Sequence, residues 1–184
     1  MIDLTDETAA AILSIEQRHI NRMAAEGVPT HVAKPAEGKH LWGIMKVSPD
    51  GPTQFFPDPD GREAYVSIST RGSDVTDLIA WHPANPANWR WRIGDEPFLG
   101  IDAFERCWPG DGPLQIHATP LDFLRAGGEG LVVLDWNATS DIRRLAMVDA
   151  IAAPRSIVER IDKILRRPVR MPRWKVMEAP RAAA

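Results

Sequence analysis

GPLQIHATPLDFLRAGGEGLVVLDW, residues 112–136, is the stretch whose reading decides the fold. Leu114 to His117 has the pattern of a short apolar strand, and Leu131 to Trp136 is an almost unbroken apolar run. Between them, Thr119 can N-cap a helix over Pro120 to Ala126. Pro120 suits the first turn, where its missing N–H is not needed, and Asp122 stands near the positive end of the helix dipole. Gly127 and Gly128 can take the left-handed conformation that closes a helix. Strand, short helix, strand with a connection of about a dozen residues predicts a right-handed crossover and two parallel strands.

Working outward, Thr5 can cap a helix running from Leu4 to about Glu26, with Ala9, Ile12, Leu13, Ile15, Ile20 and Met23 on its apolar face and Gly27 and Pro29 at its end. His19 lies beside that face and reads as a surface or partly buried histidine rather than a ligand, because no second ligand type stands at i+3 or i+4. Leu41–Val47, Glu63–Ser69 and Asp77–His82 read as strands. Asp50-Gly51-Pro52 and Pro57-Asp58-Pro59-Asp60-Gly61 read as tight turns rather than a calcium loop, because the prolines restrict the bend such a loop needs. In Trp89-Arg90-Trp91-Arg92-Ile93 strict alternation puts the tryptophans on one face, for the core, and the arginines on the other. Exposed tryptophan and arginine could instead stack on bases and pair with phosphates. Gly94 to Gly112 reads as a long loop or short helix lying over the core as a lid.

A helix is expected from Thr139 or Ser140 to about Ala152, and a second, amphipathic helix from Arg155 to Arg167. The fold class is therefore α/β or α+β: a single domain over residues 1–167, with a mixed sheet of about five strands, an N-terminal helix and two C-terminal helices. Residues 168–184 are expected to be a basic, partly flexible tail.

The net charge of −3 hides a segregation. Residues 1–138 hold 11 Lys/Arg against 20 Asp/Glu, and residues 139–184 hold 11 against 5. A basic end of this kind either docks on the acidic body or binds a polyanion. Cys107 has no partner for an internal disulfide, the first ten residues are acidic where a signal peptide is basic, and no apolar run reaches about 18 residues. A cytoplasmic, non-membrane protein is the expectation, with no cofactor called for.

An apolar strand ending in an acidic residue puts a carboxylate at the sheet edge where open α/β sheets bind ligands. Asp135 is so placed, His117 ends the neighbouring strand, and His82 closes DLIAWH. If they converge, His82, His117 and Asp135 could hold a metal or serve as acid and base; apart, they are a loop-capping carboxylate and two packing histidines. Cys107 reads as a packing residue.

HATPLDFLRAG, residues 117–127, resembles the first motif of topoisomerase-primase (Toprim) domains, in which a strand ends in Glu-Gly, an acidic residue follows three positions after the Gly, and an Ala/Leu-rich helix runs into a Gly. Asp122, Phe123, Leu124 and Gly127 match, while Ala118 and Thr119 stand where that family has its glutamate and glycine. The resemblance covers about 25 residues. It implies an ancestor with magnesium-dependent phosphoryl transfer whose metal carboxylates are absent here. Residues 77–136 also look like uncharacterised proteins encoded in phages and prophages near replication genes.

The first functional expectation is a non-enzymatic binding module that contacts single-stranded nucleic acid or a replication-type protein partner through Arg166, Arg167, Arg170, Arg173, Trp174 and Lys175. The second is a metal-dependent hydrolase or phosphoryl-transfer enzyme using Asp135 with His117 or His82. The third is an interaction or inhibitor protein of mobile-element type, docking through its last amphipathic helix.

Overall fold

The N-terminal apolar stripe builds two helices rather than one, α1 (Thr5–Leu13) and α2 (Gln17–Ala25). The break is made by a capping box: Glu16 takes an extended conformation, and its side chain accepts from the His19 N–H. In return, His19 Nδ1 accepts from the Glu16 N–H at 3.0 Å. Histidine here fills the place that Glu or Gln usually takes in the motif. That leaves the imidazole proton on Nε2, which faces Glu63 Oε1 at 3.3 Å. His19 is thus buried, deeper than the surface or half-buried place expected for it.

This computed structural model describes residues 4–34, 40–107 and 112–166. After the short helix α3 (Thr30–Ala33), five strands follow: β1 (Trp42–Asp50), β2 (Gln54–Pro57), β3 (Arg62–Arg71), β4 (Asp74–His82) and β5 (Asn85–Trp91). They close into a barrel in the order β1-β2-β5-β4-β3, with every pairing antiparallel except β2 with β5. Both proline-rich connectors are tight turns, as expected. In the second, Gly61 N–H donates to Asp58 O and Asp60 N–H to Asp58 Oδ1, each at 2.9 Å.

Alternation gives the barrel two apolar faces. Met45, Phe55, Val66, Ile68, Leu78 and Ala80 pack together as its interior, with Leu4 and Ala11 beside them. Helix α1 approaches β1 closely: a Cβ at Gly43 would lie 2.7 Å from the Ala11 carbonyl carbon. The outer face carries Trp42, Tyr65 and Trp81 in a run of ring contacts 5.8 and 5.5 Å apart. Trp89 and Trp91 pack against the same layer, so the tryptophans of the alternating stretch turn inward as expected.

A second sheet, not anticipated as separate, has the order β6-β8-β7-β9. It comprises β6 (Phe98–Leu99), β7 (Leu114–His117), β8 (Leu131–Val133) and β9 (Ile151–Ala152). The mixed α/β single domain stands, but its strands divide between two sheets. β7 and β8 are parallel, with Ile116 opposite Leu131, as the crossover argument predicts. Helix α5 (Pro120–Arg125) joins them: Thr119 Oγ1 accepts from the Asp122 N–H at 3.1 Å. At its other end Gly128 N–H donates to Phe123 O and Gly127 N–H to Leu124 O, the paired closure that glycines in left-handed backbone allow.

Leu99, Val132 and Leu134 face the barrel and share one core with Trp42, Tyr65, Leu121 and Leu124. The sheet's other face, with Phe98, Ile116, Leu131 and Val133, meets Ile101, Ile142, Leu145, Ile161 and Ile164. These come from α4 (Ile101–Glu105), α6 (Thr139–Arg144), α7 (Arg155–Leu165) and the 3-10 turn Leu145–Met147. The helix expected over 139–152 is therefore only six residues long. Val148 is extended, and Leu114 N–H donates to Ala150 O at 2.9 Å, so the chain leaves the helix to add β9 to the sheet edge. Inward residues spaced three apart, at 142, 145, 148 and 151, lack the i+4 partners that hold a longer helix to one face.

Gly130 marks where β8 enters this sheet. Its φ is +83°, and a Cβ there would lie 2.5 Å from Gln115 O on β7. Gly130→Ala is expected to cost about 3 kcal/mol, backbone strain and overpacking together. Gly72 has φ +62° and open space around it, so Gly72→Ala should cost only about 1 kcal/mol. Chemical denaturation of the two variants measures the difference; equal losses would show that strand contact at Gly130 contributes nothing.

Candidate functional site

The apolar stripe of α7 is seated in the core through Ile161 and Ile164, which turns its charged side outward. Much of that side is balanced locally. Arg155 Nε pairs with Glu159 Oε1 at 2.8 Å, and Arg166 Nε with Asp162 Oδ1 at 2.7 Å, both one helical turn apart. The Arg160 guanidinium lies 4.0 Å from the centre of the Trp136 ring. Arg166 is the last described residue; Arg167, Arg170, Arg173, Trp174 and Lys175 lie outside the described residues.

His82, His117 and Asp135 take separate local partners. His82 ends β4 in the barrel, whereas His117 ends β7 in the second sheet. His82 Nδ1 accepts from the Ala84 N–H at 3.2 Å. His117 Nε2 lies 2.9 Å from Glu129 O and packs edge-on against Phe123. Asp135 Oδ1 accepts from the Asn137 N–H at 2.8 Å, a loop-capping carboxylate. Among the described residues no three His, Cys, Asp or Glu side chains are placed to hold a metal ion. His82, His117 and Asp135 do not form such a group. Asp122, the acidic position of the Toprim resemblance, is engaged in capping and pairing: it accepts from Thr119 Oγ1 at 2.7 Å and from Arg125 Nη1 at 3.0 Å. Cys107 is partly buried and packs against the core, as expected.

The most heavily engaged carboxylate was not singled out from sequence. Asp77 is fully buried on β4. Its Oδ1 accepts N–H bonds from Leu78, Arg92 and Ile93 at 2.8, 3.1 and 3.0 Å, and its Oδ2 accepts from Gly94 at 2.8 Å. Burial pushes its carboxyl above the usual aspartate range, and the four N–H donors pull it back. Beside it Arg92 clamps Glu7 with two bonds of 2.8 and 2.9 Å, fastening α1 to the end of β5 and holding the guanidinium pKa up. Glu96 is likewise buried and pushed up by desolvation, with Arg71 Nη2 at 3.6 Å opposing that shift. These groups tie elements together and are enclosed by them.

One open end of the barrel is different. A cavity of about 300 Å³ there has Val47, Ala64 and Ala80 on its inner side, with Arg62, His82, Asn88 and Arg90 around it. Ala80 and Arg90 are register partners, as are Val47 and Arg62, so each pair shares one face of the sheet. Sequence reasoning assigned Arg90 to solvent and passed over Arg62 and Asn88. The available signal was Ala64 and Ala80: small residues among large strand formers leave room on the interior face.

No protein-family model, curated protein or solved structure matches this chain. Fold and geometry define it as a mixed α/β protein with a closed five-stranded barrel packed on a four-stranded sheet. Among the described residues no helix is long and apolar enough to cross a membrane.

Proposed function

We propose that the chain is a non-enzymatic accessory module, of the kind mobile elements carry, that binds single-stranded nucleic acid through its basic C-terminal end. The observation that supports this reading is where the unbalanced charge sits. The arginines of α7 are answered by Glu159, Asp162 and Trp136. Residues 167–184, by contrast, hold five Lys/Arg against one Glu, while residues 1–166 hold 17 against 24. Surplus cations confined to a short segment, with Trp174 among them, suit a phosphate backbone bearing unpaired bases. The net negative charge of residues 1–166 then weakens polyanion contact with the body relative to that segment.

Cutting the chain after Ala153 would also remove Ile161 and Ile164 from the core, so the test is made on the intact chain. Replacing Arg167, Arg170, Arg173 and Lys175 together by Gln should abolish binding of a fluorescent single-stranded oligonucleotide without moving the melting temperature. For the unaltered chain, about five phosphate contacts predict roughly a hundredfold loss of affinity between 50 and 200 mM salt. Binding that ignores salt, or that survives the four substitutions, would refute the proposal.

A further inference from the structure

We infer that the open end of the barrel is a binding site for a small organic phosphate with a flat ring, of the mononucleotide class. The inference stands apart from the basic C-terminal end, because no residue is shared between the two.

Cationic and polar side chains replace apolar ones where the barrel opens. On the interior face, Met45, Phe55, Val66 and Leu78 fill the middle. Towards the end formed by the start of β3 and β5 and the finish of β4, the same face passes through Ala64 and Ala80 to Arg62, His82 and Arg90. Two alanines in place of branched or aromatic residues leave the cavity of about 300 Å³ with an apolar inner side of Val47, Ala64 and Ala80. Barrel mouths of this size are common places for small ligands.

The charge of the opening is positive. The Arg62 side chain has no hydrogen-bond or ion-pair partner among the described residues. Arg90 uses only Nη1, which donates to Gly51 O at 2.9 Å and Gln54 O at 3.4 Å, and its remaining donors are uncommitted. The one carboxylate on the lining, Glu63, is already answered by Arg18 at 2.6 Å and by His19 at 3.3 Å. Two guanidiniums beside a wall without an opposing free carboxylate suit a phosphate, which accepts paired N–H bonds in the guanidinium plane. His82 has its Nδ1 occupied by the Ala84 N–H, so Nε2 is the nitrogen left to meet a ligand. With the Asn88 amide it can bond the edge of a ring lying on Val47, Ala64 and Ala80.

Adenosine 5′-monophosphate, adenosine and inorganic phosphate, each titrated into the full-length isotopically labelled protein, separate the two halves of the site. The monophosphate should give saturable amide shifts at Ala64, Ala80, His82 and Asn88, and should bind at least about tenfold more tightly than adenosine or phosphate alone. Arg62→Gln should weaken it by about tenfold with the melting temperature unchanged, because Arg62 holds nothing in the fold. Equal affinity for adenosine and its monophosphate would remove the phosphate from the proposal. Shifts confined to other surfaces, or an undiminished affinity in Arg62→Gln, would overturn it altogether.

Discussion

Asp77→Ala is expected to lower the unfolding free energy by about 4 kcal/mol, a large share of what a domain of this size commands. The carboxylate is the common acceptor for four backbone N–H groups, those of Leu78, Arg92, Ile93 and Gly94. Deleting it strands several buried donors at once, each costing about 1–3 kcal/mol unless water enters to meet it. Nor is the loss local. Arg92 and Gly94 lie where the chain leaves β5 for the second sheet, and Arg92 also clamps Glu7 on α1. Urea denaturation of Asp77→Ala should therefore show a lower midpoint, and hydrogen exchange should show faster opening of residues 92–94 than of β7. An unchanged midpoint would mean that the four bonds are replaced without cost.

Asp77→Asn isolates the charge. A folded pKa raised above the unfolded value means that ionisation opposes folding. The group's contribution is then complete below about pH 4, the unfolded value, and declines as pH rises through the raised folded value. The unaltered protein should accordingly gain stability relative to Asp77→Asn as pH falls from neutrality towards 4. The opposite trend would show that the four N–H donors outweigh burial and hold the carboxyl below its usual range.

What could be read from the sequence follows the range of the forces involved. The 114–133 unit was legible because its signals are local: a threonine cap, a proline in the first turn and two glycines at the close, all within ten residues. The break between α1 and α2 was not, since His19 is an unusual partner in a capping box and Ile15 and Ile20 continue the apolar stripe across it. Division into two sheets was hidden for a different reason. β2, β6 and β9 have four, two and two residues, too short to show alternation, and barrel closure depends on Gln54 meeting Trp91 far along the chain. The same limit applies to sites. His82 and His117 both end apolar strands, and only the pairing of those strands reveals that they belong to different sheets. Arg62 and Arg90 are 28 positions apart and acquire a joint meaning only once β3, β4 and β5 are side by side.

Trp42→Ala should be as damaging as the loss of Asp77, by a different route, with an expected cost of about 4 kcal/mol. Trp42 is fully buried in the layer between the barrel and the second sheet. It stacks on Tyr65 at 5.8 Å with planes 19° apart, and its Nε1 donates to Val32 O at 2.9 Å. Truncation opens a cavity the size of an indole, removes the ring contact and leaves the Val32 carbonyl of α3 without its donor. Trp42→Phe keeps an aromatic ring against Tyr65 and loses the N–H, so it separates packing from hydrogen bonding and should cost about 1–2 kcal/mol. The two variants should also differ in how far the damage spreads. Because the same layer includes Leu121, Leu124 and Val132, loss of the indole should loosen α5 and β8 together with α3, visible as faster hydrogen exchange in all three. Exchange that accelerates in α3 alone would mean that the barrel and the second sheet hold together without Trp42, and that Leu99, Val132 and Leu134 carry the junction by themselves.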